Sequence, residues 1–173
     1  MTDEKKSELC NQVQECFKEL GLPLMEKRNV HESGFHPDRL VFHSWTKNGV
    51  NLYEISAIIA KHPELVLLSI SNREKIPEEK WPSLWRLSNI LNNMHPSGRW
   101  VMDRLSENME YRNAVLVTES GFNQEQFRTI LKRSLEVNNR YHPMIKKMLE
   151  NGKDPLDLLR DFEIKVPNVF EER

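Results

Sequence analysis

A chain of 173 residues is long enough to bury a core of its own and short enough to be one domain. Its 25 Lys and Arg against 26 Asp and Glu leave a net charge of −1 and no long run of one sign, which argues against a polyanion-binding surface, so no nucleic-acid partner is expected. The charged start Met1–Lys6 has no apolar segment behind it and no run of about 18 apolar residues follows, so a soluble, cytoplasmic chain without membrane insertion is expected.

Leu9, Cys10, Val13, Cys16, Phe17 and Leu20 recur at intervals of three and four, which predicts an amphipathic helix that Gly21 and Pro23 stop. Strands are predicted over Leu40–Thr46 and Val50–Ala60, joined at Asn48-Gly49, the strongest short-range hairpin signal. A third strand, Leu65–Ser71, follows His62-Pro63. Leu84, Leu87, Leu91 and Met94 then share one helical face, with Trp81 and Trp85 beside it, and this second helix must end before Pro96.

Trp100–Leu105 and Met109–Thr118 alternate around a second turn, where Asn108 can supply a left-handed backbone. Asn123 with Gln126 three residues on reads as the N-terminal cap of a third helix, carried by Phe127, Ile130, Leu131, Leu135 and Val137 until Pro143 breaks or kinks it. Asp154-Pro155 opens a short further helix through Leu159, and the apolar residues between Ile164 and Phe170 are expected to dock somewhere on the fold. The expected architecture is α+β: an antiparallel sheet of about five strands in αβββαββα order, helices mainly on one face, and an extra C-terminal helix. One domain is expected over residues 1–173, with an N-terminal helix and loop (1–38), a core (39–155) and a C-terminal extension (156–173).

No catalytic motif stands out. His31 and His36, with Asp38 nearby, are five residues apart rather than the four that places two imidazoles on one helical face, and Gly34 and Pro37 oppose a helix there. Cys10 and Cys16 have neither redox nor zinc spacing and read as reduced core thiols. There is no nucleophile elbow, phosphate loop or dinucleotide fingerprint, so no metal, cofactor or catalytic residue is expected.

The hairpins carry the functional expectation. Centring the first turn on Asn48-Gly49 sets Phe42 opposite Ile55 and Leu40 opposite Ala57 on an apolar face, with His43 opposite Glu54 and Trp45 opposite Leu52 on the other. Centring the second on Glu107-Asn108 sets Trp100 across from Val115, and Asp103 across from Arg112. The second face of both hairpins is mixed: Val41, Trp45, Leu52, Ile58, Val101, Leu105 and Leu116 share it with Asp103 and Arg112. Contiguous exposed apolar residues usually mark contact surfaces, so these nine residues are the predicted partner-binding surface, for a protein or for a second copy of the chain. The alternative expectation is a small-ligand binder or enzyme with a pocket between the third helix and the sheet.

Residues 77–155 also resemble the bacterial YbjN family of sensory transduction regulators, whose fold is similar to the class I type III secretion chaperones. The likeness is carried by Leu91-Asn92 with Gly98-Arg99-Trp100 and Asp103, by Tyr111-Arg112, and by Arg140-Tyr141-His142-Pro143 ahead of Gly152 and Asp154-Pro155. That resemblance implies a chaperone-like interaction or regulatory module, in signalling or stress regulation, without cofactor or catalytic residues.

Overall fold

The structure, a computed structural model, describes residues 2–22, 24–29, 40–48, 51–60, 64–72, 74–95, 97–103 and 107–162. Its first element is helix α1 (Asp3–Glu19), capped by the Thr2 hydroxyl, which accepts from the Lys5 N–H. Strands β1 (Leu24–Asn29), β2 (Leu40–Asn48), β3 (Asn51–Ala60) and β4 (Leu65–Ser71) follow. A 3₁₀ turn over Glu78–Lys80 leads into α2 (Trp81–Met94), then β5 (Arg99–Asp103), β6 (Asn108–Leu116), α3 (Gln124–Asn151) and α4 (Pro155–Asp161).

Six described strands form one sheet in the order β1-β2-β3-β4-β6-β5, antiparallel throughout, where about five were expected. The added strand is β1. Its sequence, Leu-Met-Glu-Lys-Arg-Asn, has no period-2 alternation to announce it, and it is recruited as an edge strand by pairing with β2, with an irregularity between Leu24 and Glu26. Charged residues suit an edge because they discourage further strand addition.

The helices pack on one face of the sheet over two adjoining apolar clusters. Leu9, Val13, Cys16 and Phe17 of α1 meet Tyr53, Ile55, Ala57 and Ile59 of β3, Val66, Leu68 and Ile70 of β4, and Phe127 and Leu131 of α3. At the other end Leu84, Leu87 and Leu91 of α2 meet Trp100 and Tyr111 of the sheet, Tyr141, Met144, Ile145 and Met148 of α3, and Leu158 and Leu159 of α4. At 28 residues α3 is roughly 42 Å long, enough to serve both clusters.

Pro143, expected to break or kink the helix, lies inside a continuous α3 that runs to Asn151, where Gly152 closes it in the left-handed conformation. The prolyl ring faces solvent, whereas Tyr141, His142, Met144 and Ile145 on either side of it are buried. Tertiary packing thus holds both halves of the helix across the hydrogen bond that proline cannot make.

Both hairpins are displaced from their expected registers by an even number of residues. Phe42 pairs with Ala57, His43 with Ser56 and Trp45 with Glu54, because β2 and β3 close at Asn48 and Asn51 rather than at Asn48-Gly49. Trp100 pairs with Tyr111 rather than Val115, and Asp103 with Asn108 rather than Arg112. Glu107, not Asn108, has the positive φ of 52° at this second turn, and Asn108 is a buried strand residue. Even shifts leave each register position on the face to which it was assigned, since sidedness has period two.

Candidate functional site

The stretch between α2 and β5 proves to be a structural joint. Asn92, in the last turn of α2, brackets the Trp100 backbone: its Nδ2 donates to the Trp100 carbonyl at 3.0 Å and its Oδ1 accepts from the Trp100 N–H at 2.6 Å. The side-chain amide thereby takes the place of a neighbouring strand at the outer edge of β5. The Tyr111 hydroxyl donates to the Ser97 carbonyl, and burial pushes that phenol above its ordinary range. Gly98 has φ +74°, and a Cβ there would lie 2.5 Å from Cζ and 2.8 Å from Cε1 of Tyr111.

The face of the sheet away from the helices carries the predicted contact residues. Three rows cross it. Ile58 pairs with Leu67 and Leu67 with Ala114; Ser56 with Ser69, Ser69 with Arg112 and Arg112 with Arg99; Glu54 with Ser71, Ser71 with Glu110 and Glu110 with Val101. Leu52 and Leu116, at 52% and 62% exposure, flank these rows and are the most exposed large apolar residues among the sheet side chains that are described. Leu52, Ile58, Val101, Asp103, Arg112 and Leu116 are therefore brought to one face. Val41 and Trp45 occupy register positions opposite Ile58 and Glu54, with side chains outside the described set, and Leu105 lies outside the described residues.

Asp103 and Arg112 do form an ion pair, diagonally and not directly opposite as expected: Arg112 Nη2 donates to Asp103 Oδ2 at 2.7 Å. Arg112 Nε also donates to Glu110 Oε2 at 2.9 Å, and that same oxygen accepts from the Ser69 hydroxyl at 2.5 Å. Two carboxylates on one guanidinium offset the like charge of Arg99, which is the direct cross-strand neighbour of Arg112. The group is only half-buried, so each pair contributes about 0.2–1 kcal/mol, and its main effect is to fix a charge pattern beside the apolar row.

A second polar group lies inside the fold, between the two apolar clusters. Ser134, Asn138 and His142 recur at four-residue spacing on α3, each at most 3% exposed. The Asn72 amide nitrogen lies 2.9 Å from His142 Nδ1; with the amide donating, the imidazole is the acceptor and is neutral. The Tyr53 ring meets His142 edge-on at 5.6 Å. Ser134 Oγ and Asn138 Nδ2 have no hydrogen-bond partner among the described residues. The four-residue spacing was visible in the sequence, but each polar residue sat among apolar ones and was absorbed into the helical stripe.

Burial pushes His142 below its ordinary range, and the Lys146 cation adds to this while Glu74 opposes it; His95 is lowered by burial and by Arg140. A histidine held neutral in the fold binds its proton first in the unfolded chain. Stability is therefore complete above about pH 6.5, the unfolded value, and falls as pH drops below it. We expect the melting temperature to decline between pH 7 and pH 5, at no more than about 1.4 kcal/mol per pH unit from His142. Circular dichroism melts across that range check this, and His142→Gln should flatten the dependence.

Cys10 and Cys16 are buried and not joined in a disulfide, and burial raises Cys16. No group of three or more metal-binding side chains occurs among the described residues; His31, His36 and Asp38 lie outside them. No described helix is long and apolar enough to cross a membrane. Comparison with family models, with curated proteins and with solved structures found no match to the chain.

Proposed function

We propose that the chain is a non-catalytic, cytoplasmic protein-interaction module whose contact surface is the open face of the sheet. One observation carries this reading: Leu52 and Leu116 stand more than half exposed beside Ile58, Leu67 and an oriented Asp103–Arg112–Glu110 group, on a face that no described helix covers. Apolar residues rimmed by ordered charge are the composition of a protein contact, where burial supplies affinity and the charges set register. The resemblance to YbjN proteins and secretion chaperones supports a chaperone-like or regulatory role for such a surface, in bacterial signalling or stress regulation.

The first partner to test is a second copy of the chain, since a two-fold axis lets one apolar patch cover its own image. Sedimentation equilibrium at micromolar concentration should give a dimer for the native chain and a monomer for Leu116→Arg. The melting temperature should be unchanged in dilute solution, because Leu116 contributes little to the core. A native chain that stays monomeric throughout rules out the self-contact.

A second reading has an observation of its own. Ser134 Oγ and Asn138 Nδ2, buried without described partners between α3 and the sheet, are the kind of groups that a small polar ligand would satisfy. A solute that raises the melting temperature of the native chain but not of Asn138→Leu would favour a ligand-binding protein.

A further inference from the structure

On the helical side of the molecule, the start of α2 and Glu107, the residue before β6, border a groove of about 590 Å³. Its described lining residues are Ile76, Trp81, Pro82 and Trp85, together with the charged Glu78 and Glu107. Trp81 is anchored: its indole N–H donates to the Ile76 carbonyl at 3.1 Å and its ring packs against the second apolar cluster. Trp85, one helical turn later, is 53% exposed. The Ile76 N–H donates to the Glu107 carbonyl at 2.7 Å, which ties one wall to the opposite rim.

Among its described lining residues the charge has one sign. None of the described lining residues is basic; Lys75, outside that lining, bonds Glu107 at 3.2 Å, and Glu78 has no ion-pair partner among the described residues. Glu107 is also the only described non-glycine residue with positive φ, a conformation that asparagine or glycine adopts at lower cost, so a carboxylate stands where the backbone alone would select another residue. We propose that the groove binds a segment of a partner protein in which a lysine or arginine is flanked by apolar side chains. The cation lies against an indole face between the two carboxylates, and its aliphatic stem and apolar neighbours lie along Ile76 and Pro82. An acidic segment would meet two like charges, and an uncharged apolar one would desolvate the Glu78 carboxylate without pairing it. This rests on the reading of the chain as a protein-binding module, but it uses a surface separate from the open sheet face.

The probe is the blocked peptide acetyl-Leu-Lys-Leu-Lys-Leu-amide, titrated into the full ¹⁵N-labelled chain while the indole N–H signals of Trp81 and Trp85 are followed. Saturable shifts are expected, with affinity at least about tenfold weaker when norleucine replaces lysine and no saturation when glutamate does. Trp85→Ala and Glu107→Asn should each weaken binding by about tenfold. Glu107→Asn should do so with an unchanged or higher melting temperature, because asparagine suits the left-handed backbone; this separates lost recognition from lost folding. Absence of saturable shifts, or equal binding of the glutamate peptide, overturns the proposal. So does binding that requires removal of residues 163–173, which would make the chain's own tail the occupant, or indole shifts that follow protein concentration without peptide, which would make it a second copy. Because the dimer test reads sedimentation and this one reads indole signals, either can fail alone.

Discussion

Replacing Trp100 by alanine should lower stability by about 3 to 5 kcal/mol, the range for truncating a large buried aromatic residue. Trp100 is 4% exposed, stacks edge-on with Tyr111 at 5.2 Å between centroids, and sits in the cluster that joins α2, α3 and α4 to the sheet. Its removal leaves a cavity bounded by elements whose positions are set elsewhere, so collapse around it is restricted. Its indole N–H, however, is buried without a described partner, so Trp100→Phe should keep most of the packing, remove an unsatisfied donor and cost far less. The exposed Trp85 is the control: Trp85→Ala should change stability by no more than about 0.5 kcal/mol. Urea titration of the three variants checks the order, and a Trp100→Ala loss no larger than that of Trp85→Ala would contradict this account of the core.

Gly98→Ala should cost about 2 to 4 kcal/mol, although it adds a single methyl group. Two effects combine. An alanine at φ +74° takes a conformation that disfavours any Cβ, and that Cβ would lie within 2.8 Å of Tyr111 ring atoms. The ring cannot readily move aside, because it is buried, stacked on Trp100 and tied through its hydroxyl to Ser97. Gly121→Ala provides the comparison, since φ there is +99° but nothing lies within 4 Å of the added Cβ. Its loss should reflect the backbone alone, so the excess at Gly98 measures the clash; thermal melts of both variants give the difference, and equal losses would show that Tyr111 yields without cost.

The sequence by itself determined which residues face the helices and which face away. Hydrophobic alternation has period two, so hairpin registers misplaced by two and four residues still put Ile55, Ala57 and Trp100 toward the helices and Leu52, Arg112 and Leu116 away from them. It also determined the apolar stripes of α1, α2 and α3 and the caps at Asn123 and Asp154, because each depends on residues within a few positions of one another.

Only the tertiary structure decided the rest, because those features arise between residues distant in sequence. Edge strand β1 forms because β2 offers a partner; α3 passes Pro143 because buried residues on both sides hold it; Gly98 is required by a ring thirteen positions away. Arg112 meets Asp103 diagonally, since pairing across a sheet follows the turn length and not the turn composition alone. The polar stripe of Ser134, Asn138 and His142 and the acidic groove beside Trp85 became distinct only when the fold set them apart from the apolar residues around them. Local periodicity fixes the face of a helix or strand, while the depth, the partners and the chemistry of that face depend on contacts that close long loops.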